Sequence, residues 1–511
     1  MPTLKPNSIR LAIRHIVRFG DTDIFPPLPG IAFLKADEQS VVNILSKVEP
    51  GAYTARTAIN SLAPKGRLGF RNAQQLGLTD SILLLASVIE IGPEIERLRL
   101  PIEAGIAFSY RFKASDGGEI FETGHSYRDW MLKQQEYLKA NKDIKIVLYT
   151  DISDFYQRIY THRLEGFFGQ MTSSSAATAF IVKIVKAIRG KESFGLPVGG
   201  AAARLLAELS LRDVDRSLFD EGITFTRYVD DYRLFFKDDN EVYDTLAFLA
   251  QALQAEGLTL NSAKTKLKPA AECLKDLKEG TADMFSVSQE SAIAALTASL
   301  YDDVEPTDDE IAALHSLNLI ELLENELAQE EIDFAKVRKV LRGIRVASPE
   351  TSLDVINEHF HELLPMAKEI VLILDEASKT DQKKEVKKLK SLFVKYYNEP
   401  PARNIPILRA WLMEAFVRGI FPVDVADLKS LNNISTALDA RQNYLLQGLL
   451  DRRTIFRNKK YELDTVGSTD RLSFLLGAMC LPKEELKPFL DTAKKSGDDP
   501  LLPAFCNWLL Q

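Results

Sequence analysis

The stretch FTRYVDDYRLFF spans residues 225–236 and carries the strongest structural signal in the chain. Two short runs of β-forming residues, 225–229 and 232–236, flank the pair Asp230 and Asp231, which suits a tight turn. The pattern predicts a β-hairpin with two carboxylates at its tip. Adjacent carboxylates repel each other, and a divalent cation is the usual remedy. An exposed hairpin whose turn happens to be Asp-Asp is the alternative interpretation of this stretch by itself.

A second β-forming run, IKIVLYT at residues 144–150, ends at Asp151. Beyond it the pattern DISDFYQRIYTH becomes helical, so this carboxylate is expected at the carboxyl end of a strand. With the hairpin it supplies three carboxylates, whose oxygens are the ligands that magnesium prefers. Two such ions, about 3.5–4 Å apart, clamp the attacking and leaving oxygens of an in-line phosphoryl transfer. The sequence therefore predicts a phosphoryl-transfer site whose catalytic residues are Asp151, Asp230 and Asp231.

Four landmarks, in order along the chain, resemble the palm of reverse transcriptases. Tyr-Val-Asp-Asp at 228–231 resembles the YxDD motif, and Asp151 with its strand resembles the first palm motif. GLPVG at 195–199, followed by AAARLLAEL, resembles the LPxG turn and the helix that underlie the nascent base pair. GLTLNSAKT at 257–265 resembles the later palm motif with its Leu-Asn and Lys-Thr. The resemblance implies an α+β fold with reverse-transcriptase-like fingers and palm over residues 1–280.

The same resemblance assigns roles at the metal site. Asp151, Asp230 and Asp231 are expected to hold two Mg²⁺ ions, with the backbone carbonyl of Ile152 as a further ligand. Asp154 is expected to begin a helix rather than to bind metal, because acidic side chains suit that end of the helix dipole. The implied enzyme is a nucleotidyltransferase of the reverse-transcriptase family that takes dNTPs.

Two further side chains are assigned to the incoming nucleotide. Tyr156 lies five residues after Asp151 and matches the aromatic gate that excludes a 2′-hydroxyl in reverse transcriptases. The resemblance therefore implies a preference for deoxynucleotides. Lys264 resembles the lysine proposed to approach the pyrophosphate leaving group, and a solvated loop lysine is the alternative.

The run FSYRF at 108–112 is expected to form a strand before a polar turn at 115–118. It resembles a finger segment of bacterial reverse transcriptases of the defence type. Arg111, or failing it Lys113, would then contact the triphosphate as a charge-assisted donor. A surface strand with one outward arginine is the alternative for this run.

The turn at 195–199 departs from the family pattern. Templated reverse transcriptases commonly carry Gln where this chain has Val198, and a Ser-Pro pair where this chain runs Gly-Ala-Ala-Ala. The polar group near the template base is therefore missing. This absence disfavours templated copying, since a site without its positioning contacts loses fidelity or rate even when its metals remain.

Charge is distributed unevenly along the 511 residues. The 64 Lys and Arg stand against 72 Asp and Glu, a net charge of −8. Residues 1–270 hold 34 basic and 32 acidic side chains, or +2, which leaves 30 and 40, or −10, for residues 271–511. Charge alone therefore does not indicate tight, sequence-independent binding of the polymerase-like part to long duplexes.

The composition predicts a soluble, cytoplasmic protein. A hydrophobic content of 46% is enough for substantial cores in two or three domains. The first twenty residues contain no apolar core of signal-peptide length, and the longest apolar run, near 82–89, is too short to cross a bilayer. Three cysteines, Cys273, Cys480 and Cys506, are typical of ordinary thiols in a reducing cytosol.

The composition changes near residue 281. Ser, Ala, Thr and acidic residues dominate an expected acidic connection at 281–310, and an all-α domain is predicted for 311–511. Its apolar residues recur at spacings of three and four, which predicts helices at 311–328, 334–344, 353–364, 367–377, 382–397 and 407–416, with more from 425 onward. Helix pairs of similar length joined by short turns suggest a HEAT-like stack.

These features together resemble the abortive-infection reverse transcriptases of the AbiK and AbiA group, which are prophage- or plasmid-borne phage-defence proteins. The resemblance implies untemplated polymerisation of dNTPs, a single-stranded DNA product attached covalently to a protein tyrosine, and a homo-oligomer. Spacing does not identify the priming residue among the 15 tyrosines. Two alternatives remain: a templated RNA-directed DNA polymerase of the retron or intron type, and a non-catalytic α-repeat scaffold. Three carboxylates crowded together at a cost in free energy argue against the scaffold.

Overall fold

The computed structural model describes residues 2–66, 69–171, 175–190, 192–281, 314–315, 317–432, 434–458, 463, 466–467 and 469–511. The chain divides into two compact units. The first consists of Met1–Arg18, Glu49–Gly51 and Leu83–Glu310, and the second of Phe19–Val48, Ala52–Ile82 and Ile311–Gln511. Except for Thr281, the expected acidic connection at 281–310 lies outside the described residues. The division into 1–280, 281–310 and 311–511 stays a prediction.

Eighteen of the described α-helices and β-strands precede residue 282, together with one turn of 3₁₀ helix at Ile102–Ala104. In chain order they are α1 (Pro6–Phe19), α2 (Ile31–Ala36), α3 (Glu38–Leu45), β1 (Ile59–Pro64), β2 (Phe70–Gln75), α4 (Leu78–Leu98), α5 (Tyr127–Ala140), β3 (Ile146–Asp151), α6 (Phe155–Arg158), α7 (Thr161–Phe168), α8 (Ser175–Arg189), α9 (Ala201–Ser210), α10 (Arg212–Asp220), β4 (Phe225–Tyr228), β5 (Asp231–Phe236), α11 (Asn240–Ala255), β6 (Lys266–Pro269) and α12 (Ala270–Thr281).

The described elements after residue 313 are helices. They are α13 (Leu319–Leu327), α14 (Phe334–Ala347), α15 (Leu353–Glu358), α16 (Phe360–Leu363), α17 (Ala367–Ala377), α18 (Lys383–Lys388), α19 (Lys390–Asn398), α20 (Pro406–Val417), α21 (Val425–Ser430), α22 (Ala437–Leu449), α23 (Arg453–Asn458), α24 (Arg471–Gly477), α25 (Lys483–Ala493) and α26 (Leu502–Trp508), with single turns of 3₁₀ helix between some of them.

A four-stranded antiparallel sheet forms the centre of the first unit, in the order β4-β5-β3-β6. Strands β4 and β5 make the hairpin that the FTRYVDDYRLFF stretch predicts, with Tyr228 opposite Asp231. Strand β3 lies beside β5 and pairs Asp151 directly with Asp231. The hairpin and the strand expected before Asp151 are both confirmed, and the pairing brings their acidic ends together.

Helices α5 and α12 pack against each other and over one face of this sheet. Because side chains alternate between the faces of a strand, Val147 of β3 and Phe235 of β5 point to the same side. There they join Leu138 of α5 and Cys273 of α12 in one buried apolar cluster. Helix α5 begins with a capping box, in which the hydroxyl of Ser126 and the carboxylate of Asp129 each accept the other's backbone amide proton.

The FSYRF run at 108–112 does not form the regular strand expected for it. Isolated bridges occur instead: Phe112 of the run pairs with Phe121, and Ala107, just before the run, pairs with Arg227. Tyr110 has a φ of 50°, which interrupts an extended strand. The turn expected at 115–118 is present, since the Gly118 amide donates to the Ser115 carbonyl over 3.1 Å.

In the second unit, segments from near the amino terminus pack with the C-terminal helices. The antiparallel hairpin of β1 and β2 contacts α20. The indole of Trp411 in α20 donates to the carbonyl of Ile24 over 2.9 Å. Arg441 of α22 is buried and donates to the side-chain oxygen of Gln75 over 2.6 Å. These residues are 387 and 366 positions apart in the chain.

The C-terminal helices stack in succession. The contacts run from α13 to α14, then to α17, α20, α22 and α24. The predicted helices at 334–344, 367–377 and 407–416 are confirmed almost to the residue. Those predicted at 353–364 and 382–397 are each broken into two, near His359 and at Leu389. The helical C-terminal region is therefore confirmed, and its packing order is that of a stack.

Among the described residues, no helix is long and apolar enough to cross a membrane. The three cysteines are free thiols.

Candidate active site

The three acidic residues predicted to be catalytic lie at one end of the sheet in the first unit. Asp151 ends β3 and Asp231 begins β5 directly opposite it. Asp230 lies in the two-residue turn between β4 and β5, and its carbonyl accepts the backbone amide proton of Ile152 over 3.3 Å. The backbone alone therefore brings together a carboxylate from near residue 150 and a pair from near residue 230.

Burial and mutual repulsion raise the free energy of these carboxylates in their ionised form. Asp151 is buried, and its Oδ1 has no hydrogen-bond partner among the described residues. Burial, followed by the charges of Asp231 and Asp151, raises the pKa of Asp230 to about 7. Burial also raises the pKa of Asp231, although Arg233 and Lys264 oppose the shift. A further positive charge near these oxygens would lower the free energy of the ionised cluster.

Lys264 is one of two positive charges that the cluster already has; the other is Arg233, whose Nη1 lies 3.7 Å from Oδ1 of Asp231. The ammonium of Lys264 donates to Oδ2 of Asp151, and the lysine side chain is 55% exposed. Partial burial lowers the pKa of Lys264, but the hydrogen bond and charge of Asp151 outweigh it and the pKa is raised overall. The structure thus brings Lys264 to the carboxylates, and its role at the pyrophosphate leaving group stays a prediction.

Ile152 continues from β3 into the site. It forms an isolated antiparallel bridge with Leu260, in the stretch that carries the Leu-Asn landmark. The two hydrogen bonds of this bridge run from the Asn261 amide to the Asp151 carbonyl and from the Ser153 amide to the Thr259 carbonyl, each 2.8 Å long. The carbonyl of Ile152 takes no part in the bridge.

Tyr156 lies on the short helix α6, half-buried, immediately beyond the first carboxylate. Asp154 precedes the helix, and its carbonyl accepts the amide protons of Gln157 and Arg158, so it begins the helix as expected. Burial raises the pKa of the Tyr156 hydroxyl well above its ordinary value, and the charge of Asp230 contributes to the shift. The phenol therefore stays neutral and lies within the field of the carboxylates.

The GLPVG turn is fastened to α6. The Leu196 amide donates to the Tyr156 carbonyl over 2.8 Å, and the Gly195 amide donates to the Ile159 carbonyl over 2.9 Å. Gly195 and Gly199 have φ angles of 105° and 100°, a conformation that favours glycine. The turn expected beneath the nascent base pair thus lies directly against the expected gate.

Arg111 and Lys113 are placed differently. Arg111 is buried, and it donates to Oε1 of Glu96 over 2.6 Å and to the carbonyl of Leu100 over 3.0 Å. Lys113 is exposed and pairs with Glu122 over 2.9 Å. The geometry gives Arg111 a structural partner instead of a free guanidinium, so its contact with a triphosphate stays a prediction without support from its surroundings.

Whether this site fits a divalent metal depends on its oxygens. Within the part of the chain that the structure describes, no three His, Cys, Asp or Glu side chains converge closely enough to hold an ion by themselves. Mg²⁺, however, is usually bound through one or two carboxylates together with water and substrate phosphates. The Oδ1 of Asp151, which has no partner among the described residues, lies beside Asp230, whose pKa is raised by burial and then by its acidic neighbours, and this fits that mode of binding.

Sequence reasoning missed a group of buried charges next to the carboxylates. Arg227 and Asp215 form a two-pronged ion pair, and Arg99 pairs with Glu208 over 2.7 Å. The available signals were an arginine inside a run of β-formers and a glutamate inside the apolar helix AAARLLAEL. Neither signal names a partner, because the partners come from four separate segments.

A comparison with protein families agrees with the palm landmarks. Residues 114–278 match the family model described as reverse transcriptase (RNA-dependent DNA polymerase). No curated protein matches the sequence. A structure of apo telomerase from Candida tropicalis is 14% identical, with 70% of this chain and 69% of that chain covered and a TM-score of 0.31. A structure of Candida albicans telomerase in complex with the TWJ fragment of telomeric RNA is also 14% identical, with 73% and 69% covered and a TM-score of 0.30.

Proposed function

We propose, with the reverse-transcriptase domain at residues 114–278 as the premise, that this protein is a phage-defence DNA polymerase of the abortive-infection type. The domain makes the protein a nucleotidyltransferase, and domains of this kind use divalent metal ions. The proposal goes further: it adds deoxynucleotides without a template, and the first is joined to a tyrosine of the protein itself. The observation that carries it is the pairing of Asp151 with Asp231 beside a GLPVG turn whose fourth residue is Val198.

Asp151 and Asp230, with Asp231 in support and the Ile152 carbonyl as a further oxygen, are the residues that would hold two Mg²⁺ ions. When bound, the metal supplies a lowered pKa for the attacking hydroxyl and neutralises charge on the triphosphate. The buried Oδ1 of Asp151, which has no partner among the described residues, supports this assignment. So does the Ile152 carbonyl, which takes no part in the two hydrogen bonds of the bridge to Leu260.

Tyr156 and Lys264 are proposed to contact the nucleotide. The neutral phenol of Tyr156 is held by a helix whose backbone anchors the GLPVG turn, so the ring presents a fixed wall to the sugar. Lys264 is largely exposed and bonded only at its tip to Asp151, so its long side chain can turn from the carboxylate to a departing pyrophosphate. Tyr156 would thus contact the sugar of the dNTP, and Lys264 its departing pyrophosphate.

The turn beneath the nascent base pair favours untemplated synthesis. Val198 is half-buried and offers no side-chain hydrogen bond where templated relatives carry Gln. A polymerase that does not position a template base selects nucleotides by the sugar and triphosphate alone. We further propose that the product is single-stranded DNA covalently attached to the protein, and that the protein acts in the cytoplasm as a homo-oligomer.

The experiment that tests the proposal uses the purified full-length protein, Mg²⁺ and labelled dNTPs, with neither template nor primer. The products are separated on a denaturing gel before and after protease digestion. Label that migrates with the protein and is released by protease is the expected result. Mass spectrometry of the linked peptide then identifies the priming tyrosine among the 15.

Other results lead elsewhere. Incorporation that requires a primed RNA template would favour an RNA-directed DNA polymerase of the retron or intron type, which the match to an RNA-dependent polymerase model keeps as the second candidate. Labelled DNA that migrates separately from the protein before protease digestion would contradict protein priming while leaving untemplated synthesis intact. Asp151→Asn is the matched negative control, because it removes one carboxylate from the cluster and preserves its shape.

A further inference from the structure

The turn that carries the carboxylate pair contains a strained residue. Val229, between Tyr228 and Asp230, is buried and has a φ of 54°. A β-branched side chain in the left-handed region is a genuine outlier, because the conformation is sterically strained. It persists only where the surroundings hold it. A relaxed φ at Val229 would redirect the chain immediately before Asp230.

Both backbone groups of Val229 are held by side chains. Its amide donates to Oγ of Ser109 over 2.8 Å, and its carbonyl accepts a hydrogen bond from Nη1 of Arg227 over 3.1 Å. Ser109 belongs to the FSYRF run, and Arg227 stands two residues before Val229 in β4. The backbone of Val229 is thus hydrogen-bonded by side chains from two different segments of the first unit.

The two holding side chains are themselves fixed by buried charges. Arg227 is 0% exposed, with Nε 2.8 Å from Oδ1 and Nη2 2.6 Å from Oδ2 of Asp215. Its Nη1 lies 2.9 Å from Oε2 of Glu208. Glu208 also accepts the hydroxyl proton of Ser109 and a hydrogen bond from Arg99. One carboxylate therefore orients both the serine and the arginine.

The charges of this group balance, since three arginines face three carboxylates: Arg99, Arg111 and Arg227 against Glu96, Glu208 and Asp215. Burial raises the pKa of Glu208, but Arg227 and Arg99 outweigh burial and hold it below its ordinary value. Buried ion pairs are weak contributors to net stability, because desolvation consumes much of the attraction and apolar side chains of similar volume often replace them without loss. Their value here is geometric, since guanidinium and carboxylate impose fixed directions.

We propose that Arg227, Ser109 and Glu208 are positioning residues that hold Val229 in its left-handed conformation and so fix where the carboxylates of Asp230 and Asp231 stand. The inference rests on the part of the proposed function that assigns these carboxylates to a metal. It does not depend on whether synthesis is templated. It gives the FSYRF run a role in the site through Ser109 rather than through Arg111.

The test compares Ser109→Ala with Ser109→Ala/Val229→Gly, measured as kcat and dNTP KM per folded molecule. Ser109→Ala is expected to lower kcat by roughly tenfold, since a displacement of about 1 Å can cost up to about a hundredfold, while KM stays within about twofold. Glycine adopts a φ of 54° without strain. The double variant is therefore expected to recover most of the lost kcat, a rescue that a merely structural role of Ser109 would not produce.

A matched buried ion pair in the second unit serves as a control. It separates an effect on the position of the catalytic carboxylates from an effect on the stability of the protein. In the second unit, Arg409 binds Asp439 with almost the same geometry as the Arg227–Asp215 pair, with Nε–Oδ1 at 2.9 Å and Nη2–Oδ2 at 2.6 Å, and both are buried. Arg227→Met is expected to lower kcat by about a hundredfold. Arg409→Met is expected to lower stability without changing kcat per folded molecule.

A second readout is Mn²⁺ binding followed by electron paramagnetic resonance, which needs no turnover. Weaker Mn²⁺ binding by Ser109→Ala than by the wild type is the expected result. Equal binding and equal kcat in the folded variant, or no recovery in the double variant, would overturn the positioning role. If the wild type itself binds no Mn²⁺, the metal assignment falls and the inference falls with it, an outcome distinct from the first. Should Arg227→Met fail to fold, the serine variants decide alone.

Discussion

Replacing Asp230 by Asn is expected to stabilise the metal-free protein while abolishing nucleotide incorporation. The pKa of Asp230 is raised to about 7, by burial first and then by Asp231 and Asp151. This value lies about three units above the ordinary aspartate value, and each unit corresponds to about 1.4 kcal/mol. The ionised carboxylate therefore costs at most about 4 kcal/mol of folding free energy. Because Asp230 keeps part of its surface in water, we expect a gain of roughly 1–3 kcal/mol on its removal.

The pH dependence gives this expectation a definite shape. Between about pH 4 and pH 7 the folded protein binds a proton at Asp230 that the unfolded chain has released. Stability therefore falls as pH rises through this window, and the whole cost is present above about pH 7. Asparagine has no such proton. The advantage of the variant is expected to be near zero at pH 4, to grow up to pH 7 and then to stay level.

The assay is urea unfolding in EDTA at several pH values, followed by circular dichroism. Asp244→Asn, an exposed position on α11, is the matched control and is expected to change little. If Asp230→Asn is no more stable than the wild type at pH 8, the ionised Asp230 carboxylate does not destabilise the fold and the reasoning is refuted. A gain in stability that is equal at pH 5 and pH 8 would refute it as well. Added Mg²⁺ is expected to narrow the gap, because the wild-type site gains a ligand that the variant binds less well.

Two other changes test separate features of the first unit. Tyr156→Val should lower the ratio of kcat/KM for dNTPs over rNTPs by about tenfold or more, because it removes the wall at the sugar, whereas Tyr160→Val, an exposed tyrosine nearby in sequence, should leave the ratio alone. An unchanged ratio in Tyr156→Val would contradict the gate. Burial lowers the pKa of His15 to about 4. Below about pH 6.5 the unfolded chain therefore binds a proton at His15 that the folded protein does not bind until the pH approaches 4. The wild type should lose up to roughly 3 kcal/mol as pH falls from 6.5 to 4, and His15→Asn, which keeps a donor for the Gly118 carbonyl, should lose less in urea titrations; parallel acid dependence would contradict this.

Much of the fold could be predicted because its signals are local. Short runs of β-formers on either side of Asp230 and Asp231 predict a hairpin, and a strand followed by a helical pattern places Asp151 at a strand end. Apolar spacing of three and four located the helices after residue 313. The broken helices near His359 and at Leu389 were missed, because amphipathic spacing continues across a short break.

The rest depends on partners that are distant in sequence. Arg111 carries a free positive charge when the sequence is considered alone, and Glu96, its actual partner, lies on a helix fifteen residues earlier. The role of Ser109 becomes visible only when Val229 lies beside it. The union of residues 19–48 and 52–82 with the C-terminal helices carries no local signal at all. Periodicity identifies elements, whereas these pairings require the assembled fold.

The assembly of the second unit has a consequence for how the protein is made. Ile24 and Trp411 are bonded to each other across 387 positions of the chain. At a synthesis rate of about 5–20 residues per second, the segment around Ile24 waits on the order of 20–80 s for its partner to leave the ribosome. Contacts of such long range also fold slowly, since loop closure must come first. The early hairpin of β1 and β2 is therefore without the helix that it contacts until α20, at Pro406–Val417, has been synthesised, and this is the interval in which a chaperone would protect it.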